Sequence, residues 1–157
     1  MCIRDRGKSD IRDHLQTIFD TFPELNLSPD QYLSYWRAKD THVNLELLTF
    51  LQDIKTPLYL GTNQDPLRTL HIENRVGHYF SGVFSSSTIG YIKPELGFYT
   101  HIEQALQLRP DQIILIDDTL KNVEEAKNRG WNSFLYQGNI KELAVFLSAM
   151  GVLDCVA

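Results

Sequence analysis

The feature that most constrains this chain is residues 112–118, Gln112-Ile113-Ile114-Leu115-Ile116-Asp117-Asp118, an apolar run that ends in two adjacent carboxylates. Consecutive branched aliphatic side chains cannot alternate between core and water. The run therefore reads as a strand covered on both faces, as in a parallel sheet flanked by helices. Sites in such sheets form beyond the carboxyl ends of the strands. Two carboxylates side by side repel, and burial raises the pKa of at least one unless a cation lies between them. The pair asks for a metal ion, a lysine, or both.

The rest of the chain supplies the context that strand needs. From Pro57 onward short apolar strands (58–60, 82–85, 112–118, 132–136) alternate with helices, the grammar of a parallel α/β sheet with right-handed crossovers. Asp65-Pro66 caps one helix, and Leu67 and Leu70 line it. Lys93-Pro94-Glu95 opens another with proline in its first turn, and Leu96, Tyr99, Ile102 and Leu106 form its apolar face. The helix from Thr119 buries Leu120, Val123 and Ala126; Asn139 and Glu142 cap a last one that buries Ile140, Leu143, Leu147 and Met150. Upstream the pattern is helical only. A weak amphipathic stretch from Asp10 is halted by Pro23, Ser28-Pro29-Asp30-Gln31 has the form of a capping box, and Asn44 introduces Leu45, Leu48 and Leu51. The boundary falls near residue 43. Residues 1–9 are charged and unpatterned and are expected to be disordered or foreign to the fold.

A length of 157 residues fits one ordinary domain. The net charge of −5 gives no electrostatic footprint for nucleic acid, and no apolar run reaches transmembrane length. Cys2 and Cys155, one near each end, form neither a disulfide framework nor a zinc spacing, and suit a reducing cytoplasm. His14, His42, His71, His78 and His101 show no ligand spacing. Trp36 and Trp131 read as packing groups, and Ser85-Ser86-Ser87-Thr88 as a solvated turn.

Three features fall at strand ends or helix starts: Thr62-Asn63, Lys93 and Asp117-Asp118. A hydroxyl after a strand can hold a phosphoryl oxygen, a lysine can neutralise both that group and nearby carboxylates, and paired acids can hold Mg²⁺. Together they compose a phosphate-plus-metal site. A phosphoacceptor receiver domain uses similar residues but places the acid pair before the Thr and Lys, so the order here argues against it.

Leu58-Tyr59-Leu60-Gly61-Thr62-Asn63-Gln64, then Gly90-Tyr91-Ile92-Lys93-Pro94-Glu95, then Ile113 to Asp118 running on into Thr119 to Ala126, resembles motifs two, three and four of the haloacid dehalogenase-like (HAD) hydrolase superfamily. The similarity is to its helical-capped, sugar-phosphatase-like branch. The resemblance implies a Rossmann-like parallel sheet flanked by helices over 43–157, with 10–42 as part of a helical cap. It implies a Mg²⁺-dependent phosphatase acting on a small phosphorylated metabolite through an aspartyl-phosphate. Thr62 would hold the transferring phosphoryl group with support from Asn63, Lys93 would bridge that group and the nucleophile, Asp117 and Asp118 would hold Mg²⁺, and Asn122 would orient the acidic loop. The family's first motif, a buried strand ending Asp-x-Asp with the nucleophile, has no counterpart upstream of Thr62. The expectation is a core without its central strand, with two open sheet edges and no nucleophile of its own. A non-catalytic phosphate-binding or interaction domain is the alternative.

Overall fold

A computed structural model describes residues 3–39 and 42–153; Cys2 and Cys155 lie outside them. Four short strands carry the frame: β1 (Tyr59–Thr62), β2 (Gly82–Ser85), β3 (Ile114–Asp117) and β4 (Asn132–Leu135). β1 pairs with β2 in parallel, Thr62 opposite Ser85, and β3 pairs with β4 in parallel, Asp117 opposite Leu135. Parallel pairing requires crossovers, and helices supply them. Between β1 and β2 runs α4 (Pro66–Val76), and between β3 and β4 runs α7 (Leu120–Asn128). α5 (Ser86–Ile89) and α6 (Leu96–Leu106) link the two pairs, and α8 (Ile140–Ala149) follows β4.

Among the described residues the two pairs stay separate sheets, because β1 and β3 do not hydrogen-bond to each other. Between them lies a cavity of about 660 Å³, lined by Leu60 and Gly61 of β1, Ile114 and Ile116 of β3, and Phe98 and Tyr99 of α6. The main core sits beside it, where Phe98, Tyr99 and Ile102 of α6 pack with Ile113, Ala126 and Trp131.

The early helices form a second, smaller cluster. α1 (Ile11–Thr21) and α2 (Pro29–Lys39) bury Ile11, Leu15, Phe19 and Leu33 against one another, with Trp36 and Leu67 of α4 at the margin. The guanidinium of Arg68 stands 5.4 Å from the Trp36 ring centre, a further link between α2 and α4. The capping box read from sequence forms: Gln31 N donates to Ser28 Oγ at 3.2 Å and Ser28 N to Gln31 Oε1 at 2.8 Å. α3 (Leu45–Leu51), capped by Asn44, buries Leu48 and reaches the cavity with Leu47 and Leu51.

Several local expectations differ. Residues 3–6, within the stretch expected to be disordered or foreign to the fold, form a 3-10 turn packed on α5, with Arg6 paired to Glu95 and Asp5 O accepting from Ser86 Oγ. Pro94 does not open α6; the Lys93–Pro94 peptide is cis and the helix begins at Leu96. Leu70, Leu96 and Leu120 are more than half exposed and Met150 is exposed as well, because each lies at a helix end or on the flank that neighbouring elements do not reach. The serine run is a helical turn whose Ser85 and Ser86 are fully buried.

Candidate active site

The site is assembled at the carboxyl ends of β1 and β3, and its centre is the ammonium of Lys93. Lys93 Nζ donates to Gly61 O at 2.8 Å and to Asp117 Oδ2 at 2.6 Å. One atom thus spans the gap between the two strand pairs. Lys93 is buried, and its cation lies 5.9 Å from the Phe98 ring centre. An ammonium has three N–H donors, so two are committed and one remains.

Lys93 is aimed by Asn63. Asn63 Oδ1 accepts from Lys93 N at 2.8 Å, while Asn63 Nδ2 donates to Lys93 O at 2.9 Å. This reciprocal pair fixes the segment between α5 and α6 to the turn after β1. The β1 turn is itself pinned, with Gln64 N donating to Ser86 Oγ at 3.0 Å. Beneath it the hydroxyls of Thr69, Ser85 and Ser87 form a network, with Ser85 Oγ 2.6 Å from Thr69 Oγ1 and 2.9 Å from Ser87 Oγ. Thr62 ends β1 and borders the cavity.

The two adjacent acids diverge. Asp117 is buried, and besides Lys93 it accepts from Asn122 Nδ2 and from Thr119 N, both on Oδ1 at 2.9 Å. Burial alone would raise its pKa, but the charge of Lys93 and these hydrogen bonds outweigh burial and hold the carboxyl below the usual aspartate value. Asp118 is exposed and accepts only a 3.2 Å bond from Thr119 Oγ1. Of the partners the sequence asked for, a metal ion, a lysine or both, the lysine is in place at Asp117. Asn122 is buried, and its carbonyl accepts from the Tyr99 hydroxyl at 2.9 Å, so α6 sets the position of the acidic loop.

Of the six residues singled out in the sequence, Asn63, Lys93, Asp117 and Asn122 are joined by hydrogen bonds, whereas Thr62 ends β1 and Asp118 follows β3 with its side chain exposed. Sequence reasoning missed Gly61, whose carbonyl receives the lysine, and Tyr99 and Ser86, whose hydroxyls bond main-chain atoms of Asn122 and Gln64. The donor set suits Mg²⁺: both acids offer hard oxygens, Asp118 outward and Asp117 with one of about four lone-pair sites still open. No group of three or more His, Cys, Asp or Glu side chains is disposed to hold a metal among the described residues.

Fold and site together define a parallel α/β core with a buried lysine–carboxylate pair at the carboxyl ends of its strands. The sequence model of the haloacid dehalogenase-like hydrolases matches residues 14–130, and the chain belongs to that family. A sesquiterpene phosphatase of Aspergillus oryzae is 36% identical over 88 residues, which are 54% of this chain and 44% of that protein. A drimenol cyclase of Aspergillus calidoustus is 30% identical over 57 residues, 36% of this chain and 11% of that one. The chain thus spans less than half the length of either curated relative. Among solved structures, a HAD family enzyme from Bacteroides thetaiotaomicron, in complex with magnesium and inorganic phosphate, superposes with a TM-score of 0.76 at 18% identity, covering 87% of this chain and 74% of that one. A HAD-like hydrolase from Porphyromonas gingivalis gives 0.70 at 18% identity over 90% and 76%. These likenesses establish the fold. No described helix is long and apolar enough to cross a membrane.

Proposed function

We propose that this chain forms the phosphate-handling part of a Mg²⁺-dependent phosphomonoesterase that works through an aspartyl-phosphate. The observation that supports this best is the buried Lys93 ammonium, shared by Gly61 O and Asp117 where β1 and β3 end. A phosphoryl group placed there meets a fixed cation and the Thr62 hydroxyl, which stabilise charge on its oxygens without reorganising. Asn63 and Asn122 are positioning residues, for Lys93 and Asp117 respectively. Asp118, with Asp117, would hold Mg²⁺, which when bound polarises the phosphoryl oxygens and templates the substrate. In the reaction a carboxylate oxygen bonds to phosphorus as the ester P–O bond breaks and the alcohol leaves with a proton. Water then adds its oxygen to phosphorus, releasing inorganic phosphate and restoring the carboxylate. That nucleophile is none of the six residues described.

The substrate class expected from the sequence is a small sugar phosphate-type monoester; the sesquiterpene phosphatase relative favours a terpenyl monoester, so both belong in a substrate panel. A cytoplasmic setting is part of this proposal, supported by a composition with two cysteines. A second reading, a phosphate-binding or interaction domain without a nucleophile, is favoured by the lack of a third acid at the described site.

Calorimetric titration with inorganic phosphate tests both. Saturable binding that Mg²⁺ tightens is expected, weakened about tenfold or more by Lys93→Met. Phosphate binding indifferent to Mg²⁺ would favour the second reading, and no phosphate binding would overturn both. Hydrolysis of an aryl phosphate by this chain alone would show that it carries a nucleophile of its own and would overturn the second reading.

A further inference from the structure

We propose that α4 and α2 together form an anion site of their own, separate from Lys93, which takes a phosphate-type oxyanion among Arg37, Arg68, His71 and Arg75. The spacing on α4 builds the first part of it. Arg68, His71 and Arg75 stand at i, i+3 and i+7, which puts all three on one face of the helix. Like charges at such spacings oppose helix formation, so a basic stripe of this kind is a cost that packing alone does not explain. Tertiary structure then adds a further cation. Arg37 of α2 acts on His71 together with Arg68 and Arg75, and Arg68 lies over the ring of Trp36, the residue before Arg37. All four side chains are half-buried. The site stands on α2 and α4 and does not depend on the phosphatase reading.

His71 is the group that asks for a ligand. Its Nε2 is enclosed and has no hydrogen-bond partner among the described residues, a state that costs about 1–3 kcal/mol. Burial, and then the charges of Arg68, Arg75 and Arg37, hold its pKa below the ordinary 6.5, so the ring is neutral at neutral pH. The acids nearby are committed elsewhere. Asp65 is buried at the start of α4, where its side chain accepts from Arg68 N at 3.0 Å, whereas Glu46 of α3 and Glu73 of α4 are exposed, as is His78 in the turn after α4. Arg68, His71 and Arg75 border the cavity beside α4, as does the exposed His42, and no Asp or Glu is among its described lining residues. An oxyanion placed there accepts from the imidazole and offsets the repulsion along the stripe. A guanidinium carries five N–H donors in a fork that matches phosphate, so each arginine keeps its present contacts and still offers a prong.

The probe is sulfate, whose charge is constant around neutral pH, added to the full chain and to its Lys93→Met variant at an ionic strength held constant with chloride. Nuclear magnetic resonance of the histidine ring nitrogens follows His71, with the exposed His78 as the internal reference. A bound anion favours the protonated ring, so it raises the pKa of His71 and binds more tightly as pH falls. The expected result is a saturable response of His71 in both proteins, a rise of about one unit in its pKa, and affinity about tenfold higher near about pH 5.5 than near about pH 8. His71→Gln should abolish that pH dependence, and Arg75→Gln should weaken binding about tenfold. The resonance of His71 in the parent chain reads the site directly, so the test survives a variant that fails to fold. Four results would overturn the proposal: a His71 signal indifferent to sulfate, an equal response to chloride, a pH dependence that persists in His71→Gln, or loss of the response in Lys93→Met, which would place the ion at the lysine. Competition then separates the sources of the oxyanion. Displacement of sulfate by inorganic phosphate alone makes the free ion the ligand, displacement by glycerol 3-phosphate as well makes it the phosphate group of a small metabolite, and displacement by neither would overturn the assignment.

Discussion

Glu103 shows at the scale of one side chain how this core handles charge away from the site. Its carboxylate takes a two-pronged contact from Arg129, at 3.1 and 2.6 Å, and the Trp131 indole N–H at 2.7 Å. Burial pushes its pKa up, but the bonds from Arg129 and Trp131 outweigh that and leave it below the ordinary value of 4.5. A carboxyl whose pKa is depressed on folding stabilises the protein above its unfolded pKa and loses that contribution as pH falls through the folded one. Glu103→Gln should therefore cost about 1–3 kcal/mol in urea unfolding at neutral pH, since the bonds involve charged groups. The gap between variant and parent should narrow as pH is taken below 4.5. A gap that stays constant into acid would show that the charge of Glu103 contributes nothing. Lys93 differs in kind, because its partners belong to two different sheets and its loss would leave the Asp117 carboxylate buried beside an apolar cavity.

Among the described α-helices, α5 is the shortest, and it holds two turns together. Ser86 Oγ accepts from Gln64 N and donates to Asp5 O, so one hydroxyl joins the β1 turn to the 3-10 turn at residues 3–6. Ser86→Ala would strand two main-chain groups, and a loss of about 1–3 kcal/mol in thermal or urea unfolding is expected; an unchanged midpoint would place that hydroxyl outside the stabilising network. This element also marks the limit of what the sequence told. Four small polar residues in a row have the composition of a solvated turn, and nothing local says that Thr69, 16 residues away from Ser85, will bond to it. Asn63 and Lys93 are 30 positions apart, so their reciprocal pair leaves no periodic trace either. Signals that act within one turn were legible: the Ser28–Gln31 box, Asp65 bonding to Arg68 N, and Asn139 bonding to the first amides of α8 all form as the residue types require. The parallel pairing of β3 was legible too, but its expected cover on both faces is incomplete, since Ile114, Leu115 and Ile116 are half-buried and line the cavity. Apolar residues at helix ends were misread, as Leu96 and Leu120 show, since periodicity names a face but not where its neighbour stops.

For the molecule as a whole, the two strand pairs share α6 as a common wall and Lys93 as a common ligand, without a shared ladder. This gives the protein a soft dimension that temperature and denaturant do not single out: its volume. Unfolding shrinks a protein's volume in proportion to the internal void it eliminates, and a space of about 660 Å³ with apolar walls is large on that scale. Hydrostatic pressure should therefore unfold this chain with a volume change near the large end of the usual range, about −100 mL/mol, followed by the fluorescence of buried Trp131. A value near −20 mL/mol would mean that the space is already filled with solvent. Compression thus measures how much of the cleft between the two strand pairs is dry.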